Sequence, residues 1–173
     1  CVVADPPWDE RGGGRIKRGA DRHYPLLTVP EIIQTMLTCP HWAEVGSDAH
    51  LWLWVTDNFL EGGLEVMKAL GFRYIRMAVW VKRWESGKLQ VGLGQYLRGS
   101  HEVMLLGVRG KSMLPETAVR QPSVIEAERG RHSAKPDEAF RVIEHTSPGP
   151  RLEVFARRPR DGWTVWGNEV GEA

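Results

Sequence analysis

The sequence predicts an α/β fold, and three observations carry that prediction. Cys1-Val2-Val3-Ala4 and His50-Leu51-Trp52-Leu53-Trp54-Val55 are short apolar runs, the pattern of strands buried on both sides. Leu60, Leu64, Met67 and Leu70 recur at the spacing of one helix face, and Gly71 follows as a stop. The chemistry-bearing string Asp5-Pro6-Pro7-Trp8 lies directly after the first apolar run, at the strand end where open α/β sheets bind ligands.

Taken in order, Cys1–Ala4 is the first buried strand. Residues 9–27 form a polar loop around Gly12-Gly13-Gly14, too long for a passive connection. Thr28-Val29-Pro30-Glu31 is a capping box with an early proline and opens a helix through Leu37. A strand at His50–Val55 and a helix at Leu60–Leu70 follow. The aromatic and β-branched stretch Phe72–Val81 reads as one or two strands. Residues 84–100, with Gly87, Gly92, Gly94 and Gly99, read as a second long loop, Val103–Val108 as a strand, and residues 111–134 as a third irregular stretch. Pro136-Asp137-Glu138 begins a helix through His145, its acids placed where the helix dipole favours them. Ser147-Pro148-Gly149-Pro150 breaks it, and Leu152–Phe155 and Thr164–Trp166 read as closing strands.

The chain's 173 residues suit a single catalytic domain spanning 1–173. Two cysteines, Cys1 and Cys39, are too few for a disulfide framework or a zinc cluster, and the six histidines show no paired metal spacing. With no apolar run near the ~18 residues of a membrane span and no signal sequence, a cytoplasmic setting is expected. The chain starts without Met inside a buried strand, so a further N-terminal element is expected upstream. A net charge of +1 announces no nucleic-acid partner, but the basic residues are clustered. Arg11, Arg15, Lys17, Arg18 and Arg22 crowd one glycine-rich stretch, and Arg120, Arg129, Arg131 and Lys135 another. Such loops are either a phosphate footprint or solvated surface.

Asp5-Pro6-Pro7-Trp8 suits a planar amine. Asp5 accepts one hydrogen of an exocyclic amino group, and the Pro6 carbonyl accepts the other. The two rings fix their own φ, and Pro7 restricts Pro6 toward extended geometry, which holds both acceptors in place. Trp8 offers a face for a stacked nucleobase, a contact worth about 1–3 kcal/mol. Methyl transfer to the amino nitrogen of adenine fits this set. The alternative is a proline pair that only breaks a strand, with Trp8 in the core. Lys82, at a strand end, either approaches the target base or its phosphate or is solvated. Trp52 and Trp54 alternate in a strand and read as core.

Further ordered blocks extend this. They are Tyr24 with Thr28 and Glu31-Ile32, Leu51 to Thr56, Trp80-Val81-Lys82, His101-Glu102 leading into Leu106-Gly107-Val108-Arg109-Gly110, and Ser133-Ala134-Lys135-Pro136-Asp137-Glu138. The tail adds Ser147-Pro148-Gly149, Phe155-Ala156-Arg157 and Gly167-Asn168-Glu169. Together with the first motif they resemble the MT-A family of S-adenosylmethionine-dependent N6-adenine methyltransferases, over essentially the whole chain. The resemblance implies a Rossmann-like class I methyltransferase sheet with helices on both faces and the catalytic motif ahead of the cofactor segment, a permuted order. It implies catalytic roles for Asp5, Pro6, Pro7 and Trp8. Asp5, His101, Glu153, Arg157, Asn168 and Glu169 would contact S-adenosylmethionine, His101 facing its carboxylate where many relatives have Lys, and Glu153 supporting Arg157. Trp8, Tyr24 and Lys82 would meet the substrate. The implied partner is nucleic acid, with DNA placed ahead of RNA, in a bacterial or phage setting, and a homo- or heterodimer is compatible. A catalytically silent nucleic-acid-binding subunit is the rival reading; such relatives tend to lose the acidic-Pro-Pro-aromatic signature, which stands whole here.

Overall fold

The computed structural model describes residues 1–9, 26–94, 96–111, 114–115, 119–130, 134–168 and 170. Among them, seven strands form one sheet in the order β5-β3-β4-β2-β1-β6-β7. These are β1 (Val2–Ala4), β2 (Ala49–Val55), β3 (Arg73–Arg83), β4 (His101–Arg109), β5 (Val124–Glu128), β6 (Leu152–Val154) and β7 (Thr164–Trp166). Three α-helices accompany them: α1 (Val29–Thr38), α2 (Leu60–Ala69) and α3 (Asp137–Thr146). β1 lies between β2 and β6, parallel to both, and β7 continues parallel beyond β6. β4 alone runs against its neighbours β2 and β3, while β5 is parallel to β3. The arrangement is a Rossmann-like sheet with helices on both faces and one reversed strand.

Side-chain alternation divides the core between the two faces of the sheet. Val2, Ala4, Leu51, Leu53 and Val55 pack with Ile32 and Met36 of α1 and Val66 and Met67 of α2. Val3, Trp52 and Trp54 turn the other way, onto Ala139, Phe140 and Ile143 of α3. Residues of β1 and β2 are therefore apolar on both sides, which is why these strands read as continuous apolar runs. At the start of α1 the Glu31 carboxylate accepts hydrogen bonds from the Thr28 backbone N–H and hydroxyl, each 2.7 Å long. Gly71 takes φ +79° after α2, a left-handed turn that glycine adopts without steric cost.

The structure lengthens or corrects several expectations. Phe72–Val81 becomes one strand reaching Arg83, with a register shift between Tyr74 and Arg76. The Val103–Val108 strand starts two residues earlier, so His101 and Glu102 belong to it. Residues 111–134 are not wholly irregular, because Val124–Glu128 forms edge strand β5. Only Ile125 and Ala127 of that strand face inward, alternating with exposed Val124, Glu126 and Glu128. Two glutamates in five residues conceal such a strand until a neighbour pairs with it. No helix among the described residues is long and apolar enough to cross a membrane.

Gly63 shows how tightly α2 meets the sheet. A Cβ there would stand 2.5 Å from Cγ1 of buried, β-branched Val55 and 3.2 Å from Cδ1 of Leu105. Helix propensity alone favours alanine by about 1 kcal/mol, but overpacking against stiff core side chains costs about 1–3 kcal/mol. Gly63→Ala is therefore expected to destabilise the chain, seen as a lower urea midpoint at an unchanged slope.

Candidate active site

The reversal of β4 gathers the site. Its amino end lies level with the carboxyl ends of β2 and β3, where Val103 pairs with Val55 and His101 with Val81. Asp5 leaves β1 at the same edge, beside the ends of β2 and β6. Lys135, immediately before α3, completes the group.

After Asp5 the chain makes a three-residue turn in which the Trp8 backbone N–H donates to the Pro6 carbonyl at 3.0 Å. The ring of Pro7 presets the central φ that such a turn requires. One Pro6 lone pair is thus committed within the chain and one is left. The Pro7 carbonyl accepts from the Leu27 N–H at 2.8 Å. Trp8 corrects the expectation of an open stacking face. The residue is 4% exposed, its ring stacks on Phe59 at 5.4 Å, and its indole N–H donates to the Trp54 carbonyl at 3.0 Å. In this arrangement Trp8 anchors the Pro-Pro turn to β2 and to the segment before α2.

Asp5 pairs with a residue that sequence reasoning placed elsewhere. Lys135 Nζ donates to Asp5 Oδ2 at 2.6 Å and lies 3.3 Å from Glu102 Oε2. The position of Lys135 in the sequence, among basic loop residues, suggests solvated surface; its side chain is instead 11% exposed and sits 5.2 Å over the Trp54 ring. Burial pushes its ammonium pKa down, but the Asp5 and Glu102 carboxylates outweigh burial and raise it above the ordinary lysine value. Glu102, next to His101 in the sequence, joins the same cluster. Burial raises its pKa, yet the attraction of Lys135 and Lys82 prevails and the net shift is downward. The available signals were slight: an acid adjoining a named histidine, and a lysine one residue before a helix-opening proline.

Lys82, expected at the substrate, is bonded to Glu102 Oε1 at 2.7 Å and lies 5.5 Å over the Trp80 ring. His101 Nε2 stands 3.3 Å from Asp57 Oδ1 in a partly exposed position. Trp52 and Trp54 are both buried, as read.

The carboxyl ends of β6 and β7 supply the rest. Phe155 turns with φ +64°, a left-handed conformation that costs a non-glycine residue about 1–3 kcal/mol and here redirects the chain into Ala156-Arg157. Gly167 lies against that turn so closely that a Cβ would overlap the Ala156 carbonyl oxygen and nitrogen. The close approach brings exposed Asn168 beside the turn. One Arg157 nitrogen stands 3.9 Å from Asp5 Oδ2. Burial raises the pKa of Glu153, opposed by Arg160 and Arg158 and reinforced by Asp5. Arg158 and Arg160 each reach Asp137 Oδ1 at 3.2 Å, tying this segment to the start of α3. Tyr24, Glu169 and the basic stretch Arg11–Arg22 lie outside the described residues.

The family model MT-A70 matches residues 1–169. The chain belongs to the MT-A70 family. A probable N(6)-adenosine-methyltransferase MT-A70-like protein of Oryza sativa is 32% identical over 174 residues, covering 98% of this chain and 22% of its own. The human N(6)-adenosine-methyltransferase catalytic subunit METTL3 is 30% identical, over 98% of this chain and 28% of its own. The type II methyltransferase M.MunI of a Mycoplasma species is 27% identical over 188 residues, covering 98% of this chain and 76% of its own. The chain thus spans about a quarter of the eukaryotic relatives' length. The family's methyltransferases depend on S-adenosylmethionine. The residues present fit that cofactor chemically. Asp5 offers a carboxylate to an ammonium or sulfonium group, His101 a ring N–H to a carboxylate, and Arg157 and Asn168 a guanidinium and an amide to ribose or adenine.

Glu102 ties the site to acid stability. Its pKa in the fold lies below the ordinary 4.5, so its contribution is present above that value and is lost as pH falls through the folded value. Glu102→Gln is expected to flatten the decline of urea stability below about pH 4.5 relative to wild type.

Proposed function

We propose that this domain transfers a methyl group from S-adenosylmethionine to the N6 amino group of adenine in a nucleic acid. The observation that carries the proposal is Asp5, held between Lys135 and Arg157 at the start of the Pro-Pro turn. Lys135 donates to Oδ2 and leaves Oδ1 as an acceptor. In this reading Oδ1 accepts one hydrogen of the adenine amine, and the remaining lone pair of the Pro6 carbonyl accepts the other. An aromatic amine is a poor nucleophile because its lone pair is delocalised into the ring. Two acceptors on its hydrogens favour a pyramidal nitrogen and stabilise the positive charge that develops there, a preorganised electrostatic effect. S-Adenosylmethionine supplies an electrophilic methyl group on sulfur. Asp5, Glu153, Arg157 and Asn168 would hold it, with His101 and Glu169 assigned to the same site; Tyr24 is assigned to the substrate side. The target base leaves its stack, or comes from a single strand, to reach this edge of the sheet.

DNA is the polymer expected from the sequence, and the likeness to M.MunI supports it. RNA is the second reading, favoured by the higher identity to the adenosine methyltransferases. A single domain, a cytoplasmic setting and a homo- or heterodimer belong to the same proposal. Incubation with labelled S-adenosylmethionine and single-stranded DNA, duplex DNA or RNA, followed by nucleoside digestion, separates the polymers. Label is expected on N6 of adenine; label on cytosine, or none on adenine in any polymer, refutes the proposal. Asp5→Asn is expected to lower turnover by about 100-fold or more while affecting cofactor affinity less. A silent scaffold would instead leave cofactor-dependent methylation by a full complex indifferent to Asp5→Ala.

A further inference from the structure

Lys82, Glu102, Lys135 and Asp5 form one alternating row of charge. The contacts run 2.7 Å from Lys82 to Glu102 Oε1, 3.3 Å from Glu102 Oε2 to Lys135, and 2.6 Å from Lys135 to Asp5. Each of these side chains is a quarter exposed or less. Beneath the row lie two indoles in edge contact, Trp80 under Lys82 and Trp54 under Lys135. Trp80 is fixed in turn by its N–H bond to the Ala127 carbonyl of β5, 3.0 Å long.

We infer that Lys82 is a positioning residue: by holding Glu102 it leaves the Lys135 ammonium to Asp5. Glu102 is shared unequally, with its shorter contact to Lys82 and its longer one to Lys135. Two cations thus serve two carboxylates. Without Lys82, one buried ammonium would be divided between Glu102 and Asp5, since the nearest Arg157 nitrogen is 3.9 Å from Asp5. The Glu102 contact would then tighten and draw Lys135 away from Asp5. This assigns Lys82 a part in the chemical step, through two intervening side chains, rather than the substrate contact expected from the sequence.

The inference rests on the methyl-transfer reading, and its test has an arm independent of activity. Lys82→Met is expected to lower kcat by roughly 10- to 100-fold, as misplacement of a catalytic group does. The KM for an adenine-containing oligonucleotide is expected to stay within about twofold, because ground-state binding is untouched. Lys82→Arg, which keeps the cation, restores most of the rate. In a Glu102→Gln background the further change Lys82→Met costs less than about threefold, since coupled residues are not additive. Additive losses, or a loss confined to KM, overturn the assignment in favour of direct substrate contact. Nitrogen-15 labelling of lysine supplies the independent arm. The Lys135 ammonium resonance, hydrogen-bonded to Asp5 in wild type, is expected to move in Lys82→Met while the thermal transition stays cooperative. An unmoved resonance overturns the inference whether or not the protein methylates. A wild-type chain that transfers no methyl group overturns the functional reading alone and leaves the resonance to decide the role of Lys82.

Discussion

The ion pair between Lys135 and Asp5 joins parts of the chain 130 residues apart. Its two members stand at the end of β1 and the start of α3, so the pair forms only when α3 docks on its face of the sheet. Both charges are largely removed from water, and such a pair is sustained only where further bonds complete its donors and acceptors. Glu102 supplies that completion from the reversed strand, Trp54 lies beneath the ammonium, and Arg157 approaches from the end of β6. Removing one member would leave an uncompensated charge, which typically costs 3–5 kcal/mol or roughly that order. The catalytic geometry and the closure of the fold thus depend on the same contact.

The reversed strand explains why the site is so concentrated. A parallel neighbour at the β4 position would present its carboxyl end here and send its amino end to the far side. The antiparallel run brings His101 and Glu102 to the edge where β1, β2, β3, β6 and β7 end. Six segments then contribute to one edge without a long excursion of the chain. The strained Phe155 and the close-packed Gly167 belong to the same design, because each turns a strand end sharply enough to keep Arg157 and Asn168 near Asp5.

Charge and burial divide the labour among similar residues. Lys82 and Lys135 both lie over indoles and both touch Glu102, but only Lys135 reaches Asp5. Glu102 and Glu153 are both desolvated, but two lysines hold Glu102 down, whereas the arginines near Glu153 fail to offset its burial. Trp8, Trp54 and Trp80 serve as floor and anchors, and each uses its large apolar face within the protein.

The sequence by itself determined the α/β class, every described strand but β5 to within a few residues, all three helices and the identity of the acid–Pro–Pro–aromatic motif. These follow from period, caps and ring constraints, which act over a few neighbouring residues. The tertiary structure decided the rest. Strand β5 became visible only when β3 paired with it, since its own pattern carries two glutamates. Trp8 turned from a stacking face to an anchor because Phe59 and the Trp54 carbonyl enclose it. Lys135 and Glu102 entered the site because pairing of distant charges depends on which strand ends the fold brings together. No local spacing records that.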